Sequence, residues 1–148
     1  MRKEILEEIR HALNQLMGCD EQPLVRHVDL WNRNVEFIEE EDNWERPAVF
    51  VEFGTIEWMH DRPSRGKRVS MHCTSEVLLH VVTDWHGGRC EDCLPDSVTL
   101  SREISRAVTG LCGEHFCDFV PQKEMSNHDH GELLEEILVF SYRGRDEW

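Results

Sequence analysis

Apolar side chains at the start of the chain recur at three- and four-residue spacing: Ile5, Leu6, Ile9, Ala12, Leu13, Leu16 and Met17. That period lines one side of a helix, while Arg2, Lys3, Glu7, Glu8 and Arg10 fall mainly on the other, and Gly18 is placed to end it. Residues 26–38 and 47–58 then read as strands, separated by the acidic turn Glu39-Glu40-Glu41-Asp42-Asn43, which suggests a hairpin. Ala48, Val49, Phe50, Val51 and Phe53 form an almost unbroken apolar run, as expected of a central strand buried on both faces, and Pro47 stands at its start, where a missing N–H is tolerated.

A loop over residues 59–68 follows, with Pro63 and Gly66 as turn residues. Residues 69–84 show the period of a long strand, with Met71, Cys73, Val77, Leu79 and Val81 on one side and His72, Thr74, Glu76 and His80 on a largely wet other side. Gly87-Gly88 ends it. Beyond Pro95, with Asp96 or Ser97 as cap, Leu100, Ile104, Ala107, Val108 and Leu111 predict a second helix. Residues 112–132 read as polar and irregular, and residues 134–143 as a last strand burying Leu138, Phe140 and Tyr142. The pattern predicts one α+β domain over residues 1–148, of order α-β-β-β-α-β. Its mostly antiparallel sheet has four strands or slightly more, covered by two helices.

Composition sharpens this picture in two ways. An apolar fraction of 39% beside a charged fraction of 31% fits a packed interior under a solvated surface. A net charge of −14 argues against attraction to phosphate backbones, so nucleic acid is not an expected partner. The N-terminal residues lack the apolar core of a signal peptide, and no apolar run reaches the roughly 20 residues that span a bilayer. The expectation is a cytosolic chain without a membrane partner, whose six cysteines, Cys19, Cys73, Cys90, Cys93, Cys112 and Cys117, stay as thiols.

Motifs that announce catalysis are missing: no Walker A sequence, dinucleotide-binding glycine fingerprint, HExxH or nucleophile elbow occurs. The sharpest chemical alternative is a zinc-stabilised binding module using Cys90, Cys93, Cys112 and either His115 or Cys117. Against it, a helix of about fourteen residues between the two pairs would hold them roughly 20 Å apart. His128 and His130 flank Asp129 in a loop that reads more simply as solvated. An enzyme built on His72, Glu76 and His80 would place all its groups on one exposed strand with no nucleophile. The expectation is therefore a non-enzyme with no cofactor and no metal.

Charge does suggest a self-contact. Arg62, Arg65, Lys67 and Arg68 make the one basic cluster, and Glu39, Glu40, Glu41 and Asp42, with Glu45, make the matching acidic one. A head-to-tail contact between such loops closes into a ring when the rotation per subunit divides a full turn. Trp31, Trp44, Trp58 and Trp85 lie near strand ends or turns, where aromatic side chains serve either a core or an interface, and Trp58 is assigned to the interface.

Over approximately residues 4 to 143, the chain resembles the tail-terminator (tail-completion) proteins of tailed bacteriophages and prophages, the minor tail protein U-like group. The resemblance rests on the amphipathic first helix, the strand Pro47-Ala48-Val49-Phe50-Val51-Glu52-Phe53 and the arginine-rich loop leading into Val77-Leu78-Leu79-His80-Val81-Val82. It continues in the second helix, the Asn127-His128-Asp129-His130-Gly131 loop and the closing Ile137-Leu138-Val139-Phe140-Ser141-Tyr142-Arg143 strand. It implies a structural protein with no active site. Such a protein forms a ring, usually a hexamer, that caps the tail tube, stops its polymerisation and meets the head-side connector. The implied partners are thus copies of the chain itself, the tail tube protein and the head-tail connector protein. The implied location is the cytoplasm during assembly and then the virion tail. The cysteine content and the length of residues 112–132 depart from the group's pattern.

Overall fold

The computed structural model describes residues 1–32, 44–60, 69–85, 94–129 and 131–147. Two helices and six strands follow one another as α1 (Arg2–Asn14), β1 (His27–Leu30), β2 (Ala48–Phe53), β3 (Glu57–His60), β4 (Ser70–Asp84), α2 (Ser97–Val108), β5 (Phe116–Asn127) and β6 (Leu133–Glu147). The sheet runs in the order β1-β2-β4-β6-β5, with β3 also paired to β4. Its middle is a ladder in which β4 and β6 pair antiparallel over their full lengths, from Ser70 opposite Glu147 to Asp84 opposite Leu133.

This corrects the expected four-stranded, mostly antiparallel sheet and its α-β-β-β-α-β order: the sheet is mixed and has six strands. Three departures account for the difference. First, β1 pairs β2 in parallel, His27 opposite Ala48 and Leu30 opposite Val51, so these two strands are not the arms of a hairpin. Second, the stretch expected as one strand over 47–58 is two: β2 ends at Phe53, the register against β4 slips by one residue, and β3 continues from Glu57. Gly54 sits at the break, where its N–H donates to the Glu76 carbonyl and an added Cβ would lie 3.1 Å from that oxygen. Third, the segment expected to be irregular contains β5, which pairs with β6 across two register breaks. Only Phe116 and Phe119 of β5 are buried, and Asp118 between them takes a positive φ of 55°, so the apolar residues fall three apart and hide the strand period.

Both helices cover one face of the sheet. Ile5, Leu6, Ile9 and Leu13 of α1 and Leu100, Ile104 and Val108 of α2 pack with Val49, Val51, Val77, Leu79, Val81, Leu138, Phe140 and Tyr142 in one core. Each such side chain, fully buried, contributes roughly 1.5–3 kcal/mol. Asp96 caps α2 as the sequence suggested, its carboxylate accepting the Thr99 N–H at 2.9 Å. Phe119 stacks on Phe140 with centroids 5.0 Å apart and so brings β5 into the same core.

Two close fits lock the elements together. Glu4 on α1 accepts the backbone N–H groups of Glu114 and His115 and pairs with the His115 imidazole at 3.1 Å. Partial burial pushes the Glu4 carboxyl upward, but these hydrogen bonds outweigh it and hold the group below the ordinary glutamate value. Gly144, opposite Cys73 in the central ladder, leaves room for Met1 and for the buried Cys73 thiol, which would stand 2.6 Å from an added Cβ.

A Gly144→Ala substitution should therefore cost about 1–3 kcal/mol through overpacking. Adding Cys73→Ala, which empties the contested space, should recover part of that loss. Urea unfolding of the single and double variants checks the coupling, and additive effects would show that the two residues do not compete for space.

Candidate functional site

The sheet's second face carries no helix among the described residues, yet half of it is dry. Ala48, Phe50, Val82 and Leu133 form a second buried cluster, packed from outside by Trp31 and Trp44. Both indoles meet Phe50 edge-on, at centroid distances of 6.3 Å for Trp31 and 5.1 Å for Trp44. These two tryptophans belong to the connection between the parallel strands β1 and β2, and their packing explains why β2 is apolar on both sides. The sequence assigned that property correctly, with Val49 and Val51 in the helix-covered core and Ala48 and Phe50 in this one.

A buried polar constellation lies beside this cluster. His80 is 4% exposed and Glu135 is 2% exposed. The imidazole Nδ1 stands 2.6 Å from Glu135 Oε1, and Nε2 stands 2.8 Å from Glu52 Oε2. Asn127 Nδ2 donates to the other Glu135 oxygen at 2.8 Å. Trp31 stacks flat on the imidazole, with centroids 3.9 Å apart and planes 5° from parallel. The register builds this arrangement: Leu78, His80 and Val82 share a face of β4, with Glu52 opposite Leu78 and Glu135 opposite Val82, so His80 meets both carboxylates on the diagonal. The expectation of a wet histidine at position 80 is corrected here, because the pattern that predicted a wet face could not show which connection lies over it.

Toward the other end of β4 the same face is bare. His72, Thr74 and Glu76 are exposed, as expected, and beside them on β6 and β5 stand exposed Arg143, Arg145 and Val120, while exposed Met125 lies further along β5, in the row of Ile137 and His80. Arg143 is ion-paired with Asp118 across the β5–β6 pair. His72, Glu76 and His80 therefore do not converge on a common site; two face outward and the third is enclosed. A groove of about 390 Å³ opens elsewhere, at the N-terminal end of α2, between Trp85, Leu94, Val98, Leu134 and Glu136.

Of the residues assigned to a subunit contact, Trp58 is half-buried in β3 and packs against the main core. Arg62, Arg65, Lys67, Arg68, Glu39, Glu40, Glu41 and Asp42 lie outside the described residues. Of the zinc alternative, Cys112 and Cys117 are exposed free thiols, His115 pairs with Glu4, and Cys90 and Cys93 lie outside the described residues, as does His130. Among the described residues no group of three or more His, Cys, Asp or Glu is arranged to hold a metal ion. Cys73 is a free, buried thiol, whereas Cys19 is disulfide-bonded and departs from the expectation of thiols throughout. No helix among the described residues is long and apolar enough to cross a membrane.

Sheet edges complete the surface. The β5 edge is interrupted by Pro121, by Lys123 and by two register breaks, devices that discourage another strand from adding to it. β1, at the other end of the strand order, has four residues.

No family model matches the chain, and no curated protein sequence matches it. Among solved structures it is similar to a chain of the "Virion of native gene transfer agent (GTA) particle", with a TM-score of 0.51 and 12% sequence identity, over 96% of this chain and 92% of that one. The α+β fold is thus one that a virion protein also adopts, matched across nearly the whole of both chains.

The buried constellation makes a quantitative demand on stability. Replacing His80 by Ala takes from the buried Glu135 carboxylate its shortest side-chain contact while leaving the Asn127 amide in place, and the loss should be about 3–5 kcal/mol by denaturant unfolding. A loss under about 1 kcal/mol would mean that water already solvates Glu135.

Proposed function

We propose that this chain is a structural protein of a phage-like virion, and within that class a tail terminator: a ring-forming subunit, hexameric by the group's habit, that caps the tail tube, ends its polymerisation and joins it to the head connector. The observation that carries this reading is the end-to-end fold likeness to a virion chain, which covers 96% of the present one. The element order and the strand and loop motifs that resemble the tail-terminator group point the same way. In this reading the chain is not an enzyme, and its partners are copies of itself, the tube protein and the connector protein.

The distribution of surfaces fits such a subunit. Met59 and Val120, on the open half of the second sheet face, and Met125, further along β5, are each at least 40% exposed, apolar surface that a contact with another chain would cover. Pro121, Lys123 and the bulges weaken strand addition at β5, so loops and faces are favoured over edge pairing as the contact between copies. In the head-to-tail contact proposed here, Arg62, Arg65, Lys67 and Arg68 of one copy meet Glu39, Glu40, Glu41 and Asp42 of the next, with Trp58 near the join. A ring of strongly acidic subunits would also let DNA pass without sticking, since like charges repel.

Light scattering after size exclusion, with negative-stain microscopy of the same fractions and of mixtures with tail tubes, tests this reading. Closed rings are expected, free or on tube ends. Arg65→Glu with Arg68→Glu should weaken them, and Glu40→Lys with Glu41→Lys added to that variant should restore them. A chain that stays monomeric at high concentration and leaves tube ends bare would overturn the reading.

A further inference from the structure

The contacts of His80 fix a proton count. Each short approach between an imidazole nitrogen and a carboxylate oxygen needs one hydrogen between the two atoms, because both carry lone pairs. His80 makes two such approaches, at 2.6 Å to Glu135 and 2.8 Å to Glu52. A neutral imidazole supplies one hydrogen, so the arrangement requires a second proton within the triad, held on the ring or on a carboxyl. The Asn127 amide donates to the far oxygen of Glu135, so that hydrogen does not lie between the ring and either carboxylate. Trp31 presents only its ring face.

We propose that His80, Glu52 and Glu135 act as a two-proton latch that pins Trp31 to the second face of the sheet and lets it go when the second proton leaves. With one proton, a ring lone pair faces a carboxylate lone pair at one of the two contacts. Glu52, whose side chain is 42% exposed, is the partner free to swing into water, whereas Glu135 is enclosed. The imidazole then loses an anchor, and any positive charge it shared with the indole face is lost with it. Trp31 is held otherwise by its backbone N–H, which donates to the Val51 carbonyl, and by the edge of Phe50.

The groups facing the imidazole come from four elements: Glu52 from β2, Glu135 from β6, Asn127 from β5 and Trp31 from the connection after β1. His27 lies one ring further away, across Phe50. Trp31 and Trp44 flank residues 33–43 in sequence, and both rest on Phe50. The latch therefore sets how firmly one flank of the acidic stretch is anchored. It is a property of the fold and stands or falls independently of the virion reading.

The sign follows from proton linkage: a folded state that needs the second proton loses stability as pH rises and that proton departs. In the wild type, the Trp31 indole N–H resonance, assigned through Trp31→Phe, and the thermal midpoint should change together in a single-proton step as pH rises. The midpoint should fall by on the order of 5 °C. Glu52→Gln supplies an amide hydrogen to an unprotonated ring nitrogen and removes the need for the second proton, so both readouts should stay flat in that variant. A wild-type Trp31 signal that ignores pH, or a Glu52→Gln variant that titrates in step with the wild type, would overturn the proposal. Nitrogen-15 and carbon-13 spectra of His80, Glu52 and Glu135 in the wild type need no variant. Two protons on the triad below the step and one above it are expected, and a single proton at every pH at which the chain is folded would overturn the latch.

Discussion

The antiparallel pairing of β4 with β6 is the constraint from which the rest of the molecule is built. Ser70–Asp84 and Leu133–Glu147 pair residue for residue, a ladder of about 50 Å at the usual strand rise. Every other strand except β1 pairs directly with one of these two, and β1 pairs with β2. Because side chains alternate across a strand, fixing this one register decides which residues enter the core with the helices and which look the other way. Val77 opposite Phe140 and Leu79 opposite Leu138 supply the floor on which α1 and α2 rest. The absence of a side chain at Gly144 is part of the same register, since it allows Cys73 to be buried opposite.

That alternation also creates a second face, and the two ends of that face are treated differently. At one end the parallel return between β1 and β2 brings Trp31 and Trp44 over Phe50, and His80 finds two carboxylates on the diagonal. At the other end His72, Thr74 and Glu76 stay in solvent, with exposed Val120 of β5 in the row of Glu76. Among the described residues, the ionisable groups of the open half, His72, Glu76, Arg143 and Arg145, are exposed. The buried His80 and Glu135 lie under the covered half, where Trp31 of the connection stacks on the imidazole.

What could be read from the chain depended on whether burial left a period. Both helices were legible because each buries one stripe, with Asp96 one of the two caps read for α2, although α1 ends at Asn14, short of the stop read at Gly18. The long strand β4 and the two-sided burial of β2 were legible for the same reason. β5 was not, since an edge strand with two buried residues and a left-handed Asp118 shows no alternation. The parallel direction of β1 was also hidden, because an acidic stretch between two apolar runs looks the same whether the chain turns tightly or travels back. The His80 constellation suffered from that error directly: with a hairpin in mind, His80 belonged to a wet face. Its one available signal was the set of acidic residues, Glu52 and Glu135, at strand positions otherwise surrounded by apolar ones. The shared fold with a virion chain required comparison of structures, since 12% identity leaves little trace in sequence.

Native-state hydrogen exchange tests the central role of the β4–β6 ladder most directly. If that ladder is the spine, amides at the middle of both strands, such as Val77, Leu79, Leu138 and Phe140, exchange last and only through global unfolding, while β1, β3 and the outer half of β5 open earlier. Slower exchange in β1 or in either helix than in the middle of the ladder would contradict the account.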